Sequence, residues 1–342
     1  MCKGASRALL ITAIVLFPFL LQAATEKASI TGIGEFEMPS WFKVSFLDLK
    51  DDVTGAAAEG KRLAVFFHQD GCPYCAALIN TNFSQKRIVD YTRKHFDFLE
   101  INMWGNREVI DFSGNKLSEK RYAAKLKVWF TPTLLFFNEQ GQVVLRVNGY
   151  YPPHQFFAAL KYVAERREAD TRFPEYYAKL SPPSAAGKLH EQPFFVGPPF
   201  EFANRKGTKP MAVFFEQKDC AACDVLHANI LKLPATQEQI SRFKVFQLDR
   251  WSNAPVVTPT GKKTTAREWA DRLNIAYVPA IVFFDNGAEV MRIEAMFKAF
   301  HVQSIMDYVA SGAYQREPSF QRFISARADH LREQGIQVDL WK

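Results

Sequence analysis

A fourteen-residue phrase occurs twice in this chain. Leu63–Ala76 reads LAVFFHQDGCPYCA and Met211–Asp224 reads MAVFFEQKDCAACD. Each copy is an apolar run of strand character, a turn, and two cysteines separated by two residues. Other landmarks follow in the same order. Ile101–Asn106 (INMWGN) matches Leu248–Asn253 (LDRWSN), Ser118–Leu126 matches Thr265–Leu273, Pro132 matches Pro279 and Arg146 matches Arg292. The offset drifts only from 148 to 146 along the way. An ordered series at near-constant offset means a duplicated domain, and two copies are too few for a solenoid.

The chemistry that wants two cysteines at this spacing is thiol–disulfide exchange. A free thiol has a pKa of about 8.5, but a Cys-X-X-Cys pair opening a helix can fall to roughly 3.5–7.5. The unpaired N–H groups and the macrodipole of the first turn favour the anion. A spacing of three puts both side chains on one helical face. Cys72 is therefore the expected attacking thiol and Cys75 the resolving one, with Cys220 and Cys223 in the same roles.

Strand runs and helical patterns alternate within each copy. The first reads as strand Leu63–His68, helix within 72–94, strand Phe96–Ile101, helix Glu119–Lys127, strands Thr133–Phe137 and Val143–Val147, and helix Pro153–Arg166. The second reads as Met211–Glu216, Cys220–Leu231, Lys244–Leu248, Ala266–Leu273, Ala280–Phe284, Glu289–Ile293 and Val302–Ser311. Thr265-Ala-Arg-Glu268 is a capping box, and Asn138–Gly141 and Asp285–Gly287 are turn signals between the last two strands. Helices between strands with a closing hairpin predict an α/β class: two domains, each a mixed central sheet flanked by helices.

Residues 1–24 read as a targeting segment. Lys3 and Arg7 precede the apolar run Leu9–Leu21, and Ala23 and Ala24 offer a cleavage site. The run is short for a membrane span, so a cleaved secretory signal is expected and a retained anchor is the alternative. Cys2 leaves with it. The mature chain then keeps four cysteines, all of them in the two pairs. The expected location is periplasmic or secreted, where disulfides persist. Net charge falls from +7 to +5 once Lys3 and Arg7 go, with no concentrated basic stripe, which argues against nucleic-acid binding. The domains are expected at 40–166 and 195–313. The connection 167–194 carries Pro174, Pro182 and Pro183, with a short helix over Phe173–Leu180. The tail 314–342 carries an amphipathic helix, Pro318–Glu333, with Phe320, Phe323, Ile324 and Leu331 on one face. Gly335 ends it, and Gln337–Trp341 adds a strand or docks on the domain.

This order of elements, with Cys-X-X-Cys after the first core strand and a proline before a later one, resembles the thioredoxin superfamily. FFHQ-x-GCPYC, Trp104-Gly105, Phe112-Ser113-Gly114, Thr131-Pro132-Thr133 and Gly149-Tyr150 resemble the periplasmic thioredoxin-related group typified by SoxW. The resemblance implies that Pro132 and Pro279 are cis, face the disulfides and help seat a substrate backbone together with Thr131 and Val278. It implies a protein-disulfide oxidoreductase that keeps extracytoplasmic thiols reduced, fed by a membrane electron carrier. Protein thiols and disulfides are then the substrates, and no cofactor or metal is needed beyond the redox disulfides Cys72–Cys75 and Cys220–Cys223. Tyr74 is expected to be an exposed helix residue that substrates touch.

The sequence also departs from that family. Gly71 and Asp219, not tryptophan, precede the first cysteines. Phe66 and Phe214 stand where thioredoxins carry a buried carboxylate, so another group or water must move the resolving thiol's proton. Ala295 replaces the counterpart of Gly149, and Ala221-Ala222 fills the second motif, making the second half the more divergent.

Other readings stay open. Two such pairs can supply four thiolates to one zinc or bind copper(I). They can also be locked bridges in a binding scaffold. Potentials for this architecture run from roughly −270 mV to about −120 mV, so an oxidase or isomerase is the near alternative to a reductase. A relay between the two motifs needs them to face each other. His68, four residues before Cys72, and His227, four after Cys223, read as surface or packing residues, or as groups that tune a thiolate or move a proton. Trp104 and Trp251 read as loop packing. Phosphate-binding glycine loops, nucleophile elbows and His-Glu-x-x-His are absent.

Overall fold

The computed structural model describes residues 27–180, 188–203, 209–275, 277–294 and 297–341. The expected signal 1–24 with Cys2, the linker prolines Pro182 and Pro183, and Ala295 lie outside the described residues.

The first half opens with a short strand β1 (Ile30–Thr31) and helix α1 (Leu49–Ala58), then β2 (Arg62–His68), α2 (Pro73–Ala77), α3 (Lys86–His95) and β3 (Phe96–Asn102). A hairpin, β4 (Glu108–Ile110) and β5 (Lys116–Ser118), leads to α4 (Glu119–Lys125), β6 (Thr133–Phe137), β7 (Val143–Asn148), α5 (Pro153–Ala164) and α6 (Phe173–Ala178). The second half runs β8 (Phe200–Glu201), β9 (Met211–Glu216), α7 (Ala221–Val225), α8 (Pro234–Ile240) and β10 (Lys244–Asp249). It continues through β11 (Pro255–Val257), β12 (Lys263–Thr265), α9 (Ala266–Arg272), β13 (Ala280–Asp285), β14 (Ala288–Glu294) and α10 (Ala299–Ala310). Helix α11 (Phe320–Glu333) and strand β15 (Val338–Asp339) close the chain.

Each half holds one four-stranded sheet, in the orders β3-β2-β6-β7 and β10-β9-β13-β14. The first pair is parallel and the rest antiparallel in both. Even the irregularities match: the closing hairpins shift register between Phe136 and Phe137 and between Phe283 and Phe284. Strands β2 and β9 are buried along their whole length, which explains runs too apolar to alternate. Alternate residues of β2 serve two cores. Ala64 and Phe66 pack with the cysteine helix, and Leu63, Val65 and Phe67 pack with α1 and α4. The expected mixed sheets covered on both faces are present.

The halves face each other about an internal pseudo-two-fold. Asn148 and Glu294 hold equivalent positions at the ends of β7 and β14, and Asn148 Nδ2 donates to Glu294 Oε2 at 2.9 Å. Phe130 of the first half joins the second half's core, and its equivalent Tyr277 joins the first half's. Such reciprocity is what a self-complementary interface requires.

The tail forms the expected helix and strand. Phe320, Ile324 and Ala328 are buried on the second half, and Gly335 ends the helix at φ +79°. β15 then pairs in parallel with β1, joining the two ends of the described chain. Helix α1 and the segment 27–41 were not expected from the sequence.

Candidate active site

Both cysteine pairs stand where a strand feeds a helix, and both are bridged, with Cα atoms 5.2 Å apart. Cys72 caps α2: its Sγ accepts from Cys75 N at 3.0 Å, and Cys223 N reaches Cys220 Sγ at 3.1 Å. The cap works because Gly71 (φ +71°) turns the chain left-handed before the helix. Asp219 holds φ +57° at the same place, a conformation costly for most side chains but accessible to aspartate.

Thr131–Pro132 and Val278–Pro279 are cis, and the described residues hold a third cis bond at Pro198–Pro199. Thr131 Oγ1 lies 3.2 Å from Cys72 Sγ and donates to it. Val278 has no hydroxyl, so the second site lacks that contact.

The sites are roofed. Cys72 is 3 % exposed and Cys220 7 %, and their partners are buried more deeply. Tyr74 corrects an expectation: it is buried, not exposed. Its hydroxyl accepts from Lys298 N at 2.8 Å and meets His301 Nδ1 at 3.2 Å, and Trp341 packs on its ring at 5.1 Å. Burial raises its phenol pKa well above the ordinary value. Helix α11 adds a bond from Gln69 Nε2 to Gln321 Oε1 at 3.0 Å. On the other side runs the segment 27–41. Gly34 N donates to Gly71 O at 3.1 Å, and a Cβ on Gly34 would sit 2.4 Å from Cys72 O. Only glycine permits that approach.

The second site opens into a cleft of about 80 Å³ lined by Cys220, Arg250 and Tyr277 and by His154, Gln155 and Tyr177 of the first half. Each redox pair is thus covered by the opposite half, and neither cysteine of the first pair lines this cleft. Among the described residues no three metal-ligating side chains converge.

Neither histidine is a surface residue. His68 is buried and its Nε2 lies 2.6 Å from Glu100 Oε2. His227 is buried with Nε2 2.8 Å from Glu216 Oε1. Burial pushes the Glu100 pKa up, but the hydrogen bond from His68 and the charge of Arg107 outweigh it and leave it below the ordinary value. Glu100 and Glu216 were missed from the sequence. The available signal was that Glu216 replaces His68 at the repeat offset. Trp104 and Trp251 each donate to the glutamine of the cysteine loop, Gln69 and Gln217, at 2.9 Å.

The thioredoxin-like domain family matches residues 49–164 and 201–310. That is more than half of the chain, so this protein belongs to the thioredoxin-like domain family. A thioredoxin-fold protein from Helicobacter pylori is 26 % identical, covering 35 % of this chain and 80 % of its own, with a TM-score of 0.32. A thioredoxin from Thermus thermophilus is 23 % identical over 34 % of this chain and 83 % of its own, TM-score 0.27. The C-terminal domain of DsbD from Neisseria meningitidis is 15 % identical over 34 % and 93 %, TM-score 0.25. No curated protein matched. A thioredoxin-like fold carrying two Cys-X-X-Cys pairs suggests a thiol–disulfide oxidoreductase.

Proposed function

We propose that this protein is an exported thiol–disulfide oxidoreductase that reduces extracytoplasmic protein disulfides through mixed disulfides. One observation carries the reading: the Cys72 sulfur caps a helix and takes a hydroxyl hydrogen bond from the turn at Pro132. Helix-start N–H groups and that hydroxyl stabilise a thiolate once the pair is reduced. Cys72 attacks the substrate sulfur, Cys75 closes the ring and the substrate leaves as a dithiol. Thr131 and Pro132 seat the substrate backbone, with Val278 and Pro279 as counterparts for Cys220 and Cys223. A membrane electron carrier is the proposed donor, and the periplasm the proposed compartment. The roof over Cys72 means that a polypeptide reaches the sulfur only after the terminal segments and second half swing aside.

The test is insulin reduction by the full chain with a dithiol donor. Cys72→Ser is expected to lose at least 100-fold, and Cys220→Ser less. Unchanged activity in both variants would remove the enzyme reading. Equilibration of each pair with glutathione assigns direction: a potential near that of thioredoxin supports a reductase, one near −120 mV an oxidase.

A further inference from the structure

The second disulfide stands beside a cleft whose walls limit what reaches it. Cys220 lines a space of about 80 Å³, and one wall of it comes from the first half: His154 and Gln155 at the start of α5, and Pro174 and Tyr177 of α6. That wall is clamped to the second half. Phe173 and Tyr177 pack on Tyr277 at 4.7 and 5.5 Å, Arg172 reaches Asp271 at 2.5 Å, and Arg267 reaches Glu175 at 3.3 Å. A water takes about 10–15 Å³ of such space, so the cleft admits about six water-sized groups. That is room for one half of a small disulfide. An extended polypeptide carries chain on both sides of its cystine and does not enter while the wall stands.

The chemistry of the walls narrows the occupant further. Arg250 lines the cleft, is buried, and donates from Nη2 to Asp271 Oδ1 at 2.6 Å. Three guanidinium groups, Arg172, Arg250 and Arg267, share the two carboxylates Asp271 and Glu175, which leaves one positive charge over. Arg250 Nε is buried without a partner, and so is the hydroxyl of Tyr277, another residue of the lining. Unpaired buried donors are rare, and two of them at one cleft call for an acceptor. A carboxylate supplies two acceptor oxygens and the compensating charge. Asp219 lines the same cleft beside Cys220, and its carboxylate suits an ammonium group. At the repeat positions of Asp219, Arg250 and Tyr277 the first half carries Gly71, Met103 and Phe130. The polar set therefore belongs to the second site alone.

We propose that the second pair exchanges with a small disulfide whose halves each carry a carboxylate and an ammonium group, and not with a polypeptide. The proposal rests on the dithiol reading above and gives this site a substrate class different from that of the first. The Cys220 thiolate attacks one sulfur of the small disulfide, the bond between its sulfurs breaks, and one half leaves with the electron pair as a thiolate that takes a proton from solvent. The half bound to Cys220 has its carboxylate toward Arg250 and Tyr277. Cys223 then attacks Cys220 Sγ and closes the ring, and the bound half leaves as a thiolate that takes up the Cys223 proton. The protein dithiol is oxidised to a disulfide, and the small disulfide is reduced to two thiols.

The experiment uses the full chain with Cys72→Ser and Cys75→Ser, reduced and freed of reductant, and follows the loss of its thiols by mass after acid quenching and alkylation. Cystine, cystamine and insulin are the oxidants, and each rate is divided by that of a free dithiol with the same compound. Cystine is expected to react about tenfold faster than cystamine, which lacks the carboxylate, and about 100-fold faster than insulin. Tyr277→Phe keeps the ring and removes only the hydroxyl, and Arg250→Gln removes the charge. Each is expected to bring the cystine-to-cystamine ratio several-fold closer to one. Tyr277→Phe, which retains the packing, carries the test if Arg250→Gln does not fold. A ratio near one in the parent, a ratio unchanged in Tyr277→Phe, or insulin reacting as fast as cystine overturns the proposal. A reduced pair that reacts with none of the three would instead sink the dithiol reading for this site.

Discussion

The hydroxyl of Thr131 is the sharpest difference between the two sulfurs expected to attack. It donates to Cys72 Sγ at 3.2 Å, whereas Val278 leaves Cys220 without such a bond. Hydrogen bonds to charged groups contribute about 1.5–3 kcal/mol, and one pKa unit is about 1.4 kcal/mol. Thr131→Val is therefore expected to raise the Cys72 thiol pKa by about one to two units, read from thiolate absorbance during a pH titration of the reduced protein. No rise would mean that the hydroxyl does not stabilise the thiolate. The cysteines, the prolines and this threonine–valine difference are legible in the sequence because their spacing is fixed along one chain segment. Tyr74 was misread because its cover arrives from Lys298, His301 and Trp341, more than two hundred residues away. Glu100 was invisible for the same reason, since a buried charge is recognised by its partner and the partner is tertiary; Glu216 left only the trace that it stands at the repeat position of His68.

Among the elements, the N-terminal segment and the closing strand act together. Residues 27–41 lie against Gly71 and Cys72, β1 is held by β15, and Arg332 Nε donates to Ala28 O at 2.6 Å. Gly34→Val cannot keep its place, since its Cβ would meet the Cys72 carbonyl and Pro73 Cα within 2.5 Å. The expected outcome is lifting of the segment and roughly tenfold faster alkylation of Cys72 in the reduced protein, at a stability cost of about 1–3 kcal/mol. Unchanged alkylation would show that this segment does not limit access. The core strands and most helices were legible from their apolar runs and caps. This segment was not: two short strands paired across the whole chain carry no local period, and α1 has too few apolar positions to declare a face.

For the whole molecule, duplication has produced an internal pseudo-dimer in which each half shields the other's sulfurs. The contact of Tyr74 with His301 sits in that interface, and burial lowers the imidazole from 6.5 to about 4. The folded state then binds fewer protons than the unfolded chain between those values. Stability is complete above about 6.5 and declines as pH falls toward 4. His301→Gln should flatten that part of the melting-temperature profile, and an unaltered slope would place the titrating group elsewhere. The duplication was legible from the offset. The way Phe130 and Tyr277 exchange cores was not, because nothing in a repeat says how its copies dock.

The most direct test of the account is to trap the intermediate. Full-length Cys75→Ser, reduced and mixed with a disulfide-bonded polypeptide, is expected to hold that polypeptide on Cys72, seen as a dithiol-sensitive adduct and mapped by peptide mass. An adduct confined to Cys220, or none at all once the N-terminal segment is released by Gly34→Val, would contradict it.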